Sequence, residues 1–140
     1  MVSDLNLHRR AFWAYLAERT PALFARTERG NEHSRWLTVG HMPLIAALYV
    51  TNRSVGLFVR GPRRTRIGHV REFLFPYREV LAKELRQPQL KLGNTFLLNT
   101  KLRLDMYDRE NWPTAVAWLA EQSPLYERAL AAVQRRRTEI

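Results

Sequence analysis

The middle of the chain contains three short stretches whose hydrophobic pattern predicts β-strands. Residues 35–40 alternate between the two sides of a strand, and residues 44–50 and 54–60 form continuous apolar runs. Asn52 lies between the two runs and is a typical turn residue, which favours a hairpin or meander. Gly56 lies inside the second run and predicts a bulge or a close approach of another group to the backbone.

A later stretch, residues 95–107, predicts a strand with one buried and one solvated face. One side carries Leu98, Thr100, Leu102, Leu104 and Met106, and the other carries Lys101 and Arg103. Residues 89–91 predict a shorter strand before it. Gly93-Asn94 lies between the two and is typical of a hairpin.

Helical periodicity predicts two segments in the first two thirds of the chain. Residues 5–29 predict a helix that is interrupted at Thr20-Pro21 and ends at Gly30. Residues 67–85 carry the apolar stripe of an amphipathic helix. Pro76 lies inside that stripe and predicts a kink or a restart, because proline removes a backbone hydrogen bond.

The last helix opens at residues 108–113, where Asn111 or Asp108 can cap it, and Ser123-Pro124 resets it. The predicted order is therefore α-β-β-β-α-β-β-α, which is typical of an α+β fold. We expect an antiparallel sheet of about five strands, because consecutive strands are joined by short turns. Three helical segments should pack on one face, since the other face is polar.

The chain has 140 residues and no cysteine, and 46% of its residues are hydrophobic. This length and composition predict one folded domain over residues 1–140. The lack of cysteine excludes disulfides, thiolate metal ligands and a cysteine nucleophile. The sequence shows no signal peptide and no membrane span, so we expect a soluble, cytoplasmic protein without a membrane partner.

Basic residues number 23 against 13 acidic ones, a formal charge of +10, and 20 of the 23 are arginines. A GC-rich genome explains the choice of arginine over lysine, but it does not explain the excess of base. The predicted phosphate-binding residues are Arg60, Arg63, Arg64, Arg66, Lys101 and Arg103. Trp36 and Arg35 at the start of a strand are candidates to line a groove. The alternative is an ordinary solvated basic surface.

The sequence contains no recognisable catalytic or cofactor motif. The four histidines lack metal-ligand spacing, and no G-x-S-x-G, Walker or dinucleotide-binding motif occurs. Asp105 and Asp108 are the best acidic candidates, but roles in a turn and a helix cap explain them more simply. We therefore expect no catalytic residue, no metal and no cofactor, and an enzyme is the less favoured interpretation.

Several features along nearly the whole chain resemble the bacterial domain of unknown function 4268. They are an Arg-Arg-x-Phe-Trp start at residues 9–13, a strand opened by Trp36, a strand that ends at Gly61 before a helix, and an Asp-x-x-x-Trp-Pro…Trp-Leu stretch at residues 108–119. The last stretch is the most specific. Members of that family often form a C-terminal tail behind a nuclease-like domain of the PD-(D/E)xK type. The resemblance thus implies an accessory role near nucleic acid and a nuclease-like partner, and it assigns no catalytic residue.

The sequence leaves three hypotheses for function. The first is a non-catalytic accessory module that contacts nucleic-acid phosphates through a basic loop and sheet face without reading bases. The second is a protein-interaction or homodimerisation domain whose basic face meets an acidic partner. The third is an enzyme with an unrecognised acidic site near Asp105, Asp108 and His69.

Overall fold

A computed structural model describes residues 4–31, 33–40 and 43–138 of the chain. The helices are α1 (Asp4–Arg19), α2 (Pro21–Arg26), α3 (Ile67–Leu74), α4 (Arg78–Glu84) and α5 (Trp112–Thr138). The strands are β1 (Thr27–Asn31), β2 (Ser34–Thr38), β3 (Ile45–Val50), β4 (Ser54–Arg60) and β5 (Leu97–Arg103). Short 3-10 turns at Phe75–Tyr77 and Arg109–Asn111 precede α4 and α5. Within the described ranges, no helix has the length and apolar content needed to cross a membrane.

The strands form one antiparallel sheet whose spatial order is the chain order, β1-β2-β3-β4-β5. A tight turn joins β3 to β4, where the N–H of Thr51 donates to the carbonyl of Ser54 and the Thr51 hydroxyl accepts from the N–H of Arg53. Helices α3 and α4 lie between β4 and β5 in the chain. The predicted α+β class and the five-stranded antiparallel sheet are confirmed.

The first strand lies where the sequence predicts the end of a helix. Helix α2 stops at Arg26, and Thr27 has an extended backbone with φ −94° and ψ 154°. The Thr27 hydroxyl donates to the carbonyl of Phe24 at 2.8 Å, which helps to satisfy an open acceptor at the helix end. The helical prediction for residues 27–29 is wrong, because helical periodicity takes no account of the hydrogen bonds that β2 offers to this segment.

The segment between α4 and β5, all of which the structure describes, contains no strand. Residues 89–91 are irregular, Gly93 has φ +88°, and the N–H of Leu98 donates to the carbonyl of Leu92. The strand predicted at 89–91 and the hairpin predicted at Gly93-Asn94 are therefore wrong. Strand β5 is also shorter than residues 95–107, because its pairing with the seven-residue β4 ends at Arg103.

The two prolines inside the predicted helices have opposite outcomes. Pro76 lies in the 3-10 turn between α3 and α4, so the predicted break is confirmed. Pro124 lies inside α5, which continues without interruption, and the predicted reset there is wrong. Ser123, Leu125 and Tyr126 beside it are buried, and this packing outweighs the hydrogen bond that proline removes.

One face of the sheet packs against the helices and forms the main hydrophobic core. Leu48 and Leu57 on this inner face are fully buried against helical residues such as Phe12 and Leu119. We call the opposite side of the sheet the outer face; in the described structure its buried hydrophobic residues form a small separate cluster of Trp36, Ile45 and Ala47, packed with Phe58. The outer face is therefore available for another role.

A buried tyrosine ties α5 to β5. Tyr126 is 1% exposed, and its hydroxyl donates to the carbonyl of Leu98 at 2.5 Å and lies 2.7 Å from Thr100 Oγ1. Leu98 has φ +54°, and the β4–β5 register shifts near it, so this contact holds an irregular part of the strand. Burial raises the pKa of Tyr126 to about 12, although the hydrogen bond to Thr100 opposes the rise.

Raising the pH from the ordinary tyrosine pKa of 10.0 towards about 12 is expected to destabilise the native protein more than a Tyr126→Phe variant. Because the folded pKa is raised, the tyrosine contributes stability that is fully present below pH 10 and is lost as the pH rises through 12. Across this window, the free energy of unfolding of the native protein should fall by about 2–3 kcal/mol more than that of the variant. Urea unfolding of both proteins across this window measures it, and parallel stability curves would contradict it.

Candidate nucleic-acid interface

The strand register brings side chains from four strands into two rows on the outer face. Residues directly opposed in antiparallel strands point to the same side of the sheet. The two rows are Trp36-Ala47-Phe58 and Ser34-Tyr49-Gly56-Lys101. On the same face, Glu28 of β1 lies opposite Trp36, and Arg60 lies opposite Ile45. Aromatic and basic side chains that are far apart in the sequence thus become neighbours.

Two arginines lie over the ring of Trp36. The guanidinium carbons of Arg60 and Arg63 are 4.4 Å and 4.7 Å from the ring centre, which is the geometry of cation–π contacts. Arg63 also donates to the carbonyl of Gly30 at 2.6 Å, and Arg60 donates to the carbonyl of Gly61 at 3.0 Å. The basic loop after β4 therefore turns back onto the sheet instead of extending into solvent.

The two guanidinium groups are close enough to repel each other. Partial burial, and secondly the charge of Arg63, lower the pKa of Arg60 from 12.5. Arg60 nevertheless stays charged at neutral pH, because arginine does not lose its proton in proteins. Two fixed positive charges side by side attract an anion, whose binding would relieve their repulsion.

Two glycines allow the aromatic rings to lie against the sheet backbone. A Cβ atom at Gly30 would lie 2.1 Å from Trp36 Nε1, and one at Gly56 would lie 2.4 Å from Tyr49 Oη. Both distances are too short for non-bonded atoms. The close approach that the sequence predicts at Gly56 is confirmed, and the approaching group is the phenol of Tyr49.

Three aromatic rings lie beside the arginines. Phe96 meets Phe58 edge-on at 5.0 Å and lies nearly parallel to Tyr49 at 6.4 Å between ring centres. Phe96 is 55% exposed, whereas Tyr49 and Phe58 are half-buried. The Tyr49 hydroxyl donates to Asn99 Oδ1 at 2.8 Å; burial raises the pKa of Tyr49, and this hydrogen bond lowers it by less. The rings thus support one another and leave Phe96 open to solvent.

These three rings line a groove of about 500 Å³. Arg9 from α1, Arg60 from β4 and Lys101 from β5 supply its positive charge. Within the described part of the chain, no aspartate or glutamate lines this groove. The groove therefore combines apolar rings with three cationic side chains, and this pairing suits a ligand that has flat rings and anionic groups.

The structure brings most of the predicted binding residues to this region. Trp36, Arg60, Arg63 and Lys101 lie together on the outer face, and Arg103 lies on the same face at the end of β5. Their shared location follows from the register and could not be read from spacing along the chain.

The remaining two predicted residues lie in the loop that leads to α3. Arg64 and Arg66 are exposed there, and Arg64 has φ +70°, in the left-handed region. They extend the positive surface beyond the sheet, because the loop begins directly at Arg60.

Arg35 lies on the other side of the sheet from Trp36, which corrects the predicted groove between them. Its guanidinium carbon is 4.2 Å from the ring centre of Phe24, and its Nε donates to Thr27 Oγ1 at 3.0 Å. Successive residues of a strand point to opposite faces. Arg35 therefore packs with α2 and β1, while Trp36 faces outward.

Sequence reasoning missed Tyr49, Phe58 and Phe96, and it did not place Arg9, a basic residue near the N-terminus, in this groove. Strand alternation could have placed Phe58 on the side of Arg60, because the two are separated by one residue in β4. No local signal could have placed Arg9 or Phe96, since they reach the groove from α1 and from the loop before β5.

The acidic residues of the enzyme hypothesis serve a turn and a cap. Asp105 Oδ1 accepts from the N–H of Tyr107 at 3.1 Å, and Asp108 Oδ1 accepts from the N–H of Glu110 at 3.0 Å. His69 is exposed on α3. Among the residues that the structure describes, no group of three or more histidines and carboxylates could hold a metal ion; His41 lies outside them.

No family model matches the sequence, and neither a curated protein nor a solved structure matches the chain. The resemblance to the bacterial domain of unknown function 4268 therefore stays a prediction. What the outer face can bind has to follow from its own chemistry.

Proposed function

We propose that this protein is a non-catalytic accessory module that contacts nucleic-acid phosphates through its outer face. The observation that carries the proposal is the pair Arg60 and Arg63, which lie over Trp36 on the face that also presents Lys101 and Arg103. Side chains that are already held in place lose less conformational entropy on binding. Guanidinium groups also match the geometry of phosphate oxygens.

The proposed contacts position a nucleic acid and do not read its sequence. Arg64 and Arg66 in the adjoining loop can follow the phosphate backbone, and phosphate contacts by themselves carry no sequence information. Such a role agrees with the nuclease-like partner that the family resemblance implies, because an accessory module can hold the substrate of a nuclease. The cysteine-free chain suits the reducing cytoplasm, where we place the protein.

The protein is expected to bind a generic DNA oligonucleotide at about 50 mM salt and to lose most of this affinity at about 200 mM, because binding releases counterions. Fluorescence anisotropy across this salt range gives the slope of log affinity against log salt. A variant with Arg60→Gln, Lys101→Gln and Arg103→Gln should have a slope smaller by about 2–3, since each lost phosphate contact removes about 0.7–0.9.

The matched control removes the same charge from the helical side of the protein. Lys83→Gln, Arg128→Gln and Arg135→Gln change exposed residues of α4 and α5. This control should keep nearly the native slope. Equal slopes for the two triple variants would show that the net charge acts without a defined site, and no binding at about 50 mM salt would overturn the proposal.

The second candidate function is homodimerisation, which one observation favours. Ile67 and Phe96 are 44% and 55% exposed, and they line one groove of about 320 Å³. Light scattering distinguishes the two functions, since the nucleic-acid module is expected to be a monomer of 16.5 kDa. A stable dimer that loses its association on Ile67→Ser would favour the second function.

A further inference from the structure

We infer that the outer face takes nucleic acid as a single strand, with its bases stacked on Phe96 beside Tyr49 and Phe58. This inference rests on the proposed function and narrows it to one class of ligand. Phosphate contacts alone do not favour a single strand over a duplex, whereas exposed aromatic rings on which bases can stack do. The face would then hold the phosphates at its arginines and the bases at its rings.

The exposure of Phe96 is the first observation. A phenylalanine ring that is 55% exposed contributes less hydrophobic stabilisation than a buried ring would. The ring is nevertheless held in place, with Phe58 at 5.0 Å and Tyr49 at 6.4 Å. A supported but open ring is what a stacking platform requires, because little conformational freedom remains to be lost when a base binds.

A comparison with another exposed ring separates Phe96 from an ordinary surface residue. Phe75, on the 3-10 turn between α3 and α4, is 50% exposed, but the guanidinium carbon of Arg78 lies 4.1 Å from its ring centre. That contact already occupies a face of the Phe75 ring. Phe96 instead stands in a groove whose other walls are aromatic and basic.

Trp36 is not the stacking platform, although the sequence marks it as a candidate to line a groove. It is 7% exposed, and the guanidinium groups of Arg60 and Arg63 lie over its ring. Trp36 therefore fixes the cations that meet phosphates. The bases would instead stack on Phe96, whose ring is exposed to solvent.

Base accessibility favours a single strand over a duplex. In a duplex the flat faces of the bases are stacked on one another, so an exposed protein ring gains nothing from them. In a single strand the bases can unstack and lie on aromatic side chains, while the backbone follows a positive groove. Both halves of this arrangement are present in the groove lined by Phe96, Tyr49, Arg60 and Lys101.

Charge favours a nucleic acid over a second copy of this protein as the occupant. Each copy carries a formal charge of +10, so two positive outer faces would repel each other. The cations Arg9, Arg60 and Lys101 line the groove, and none of its described lining residues is acidic. An anionic strand complements this surface.

The test compares a fluorescein-labelled single-stranded DNA of about 12 nucleotides with the duplex of the same sequence. The native protein should bind the single strand more tightly at equal salt. Phe96→Ala should weaken single-strand binding by about 5- to 150-fold, the range of one base–aromatic stack. It should leave duplex binding and the salt slope unchanged. Phe96→Ala should also weaken the binding of a single-stranded RNA of the same sequence, because the proposed contacts are with bases and phosphates, which RNA and DNA share.

Two further variants keep the result interpretable. Phe75→Ala removes an equally exposed ring from the helical side and should leave all affinities within about twofold, since no stack is lost there. Phe96→Tyr keeps a flat ring and should retain single-strand binding. Equal affinity for both DNA forms, or a Phe96→Ala variant that binds the single strand normally, would overturn this inference and leave the proposed function intact. A native protein that binds neither form at about 50 mM salt would overturn both.

Discussion

Replacing Trp112 with alanine is expected to lower the free energy of unfolding by about 3–5 kcal/mol. Trp112 is 3% exposed and lies at the start of α5. Its ring centre is 5.4 Å from those of His8 and Phe12 and 5.6 Å from that of Tyr15. Its Nε1 donates to the carbonyl of Met106 at 2.8 Å, and truncation also removes this buried hydrogen bond.

Chemical denaturation measures this loss, and Trp118→Ala is the matched control. Trp118 lies further along α5 and is only half-buried, so the same change of residue removes less buried surface. We expect the control to lose roughly half as much stability or less, because the cost scales with the buried area and the cavity left behind. Similar losses for the two variants would contradict the central role of Trp112.

Replacing Trp36 with alanine is expected to weaken both the fold and the binding of nucleic acid. The free energy of unfolding should fall by about 3 kcal/mol or more, since the ring is 7% exposed. Arg60 and Arg63 would also lose the surface over which they lie, at 4.4 Å and 4.7 Å from the ring centre. Under the proposed function the affinity for a single strand should therefore drop by about tenfold or more, equivalent to about 1.4 kcal/mol.

The control Trp13→Ala separates the loss of stability caused by Trp36→Ala from its effect on binding. Trp13 is also 7% exposed, but it belongs to α1 and to the main core. It should cost a comparable amount of stability, and well below the unfolding temperature it should leave nucleic-acid affinity unchanged. If the two variants lost affinity in parallel, binding would depend on global stability and not on the arginines over Trp36.

Local chemistry explains which elements the sequence could predict. The runs at 44–50 and 54–60 match β3 and β4 closely, because a buried strand needs apolar side chains on both faces. The break at Pro76 follows from the covalent structure of proline itself. Gly56 predicted a close approach correctly, since any Cβ there would meet the Tyr49 phenol.

Two of the errors share one cause, which is that the deciding interaction comes from a distant part of the chain. Residues 27–29 continue a helical pattern, yet pairing with β2 makes them a strand. Pro124 should interrupt a helix, yet burial of the surrounding residues keeps α5 continuous. In both cases the free energy of tertiary packing or strand pairing exceeds the local preference.

By itself, the sequence determined the basic composition of this protein, its α+β class, which residues are candidates to meet phosphates, and which side of β5 carries Lys101 and Arg103. These properties depend on composition and on the two-residue period of a strand. Only the tertiary structure decided that Arg63 returns to Trp36 and that Phe96 stands open above the sheet. Strand register and loop closure bring residues together across tens of positions, and no local pattern encodes those distances.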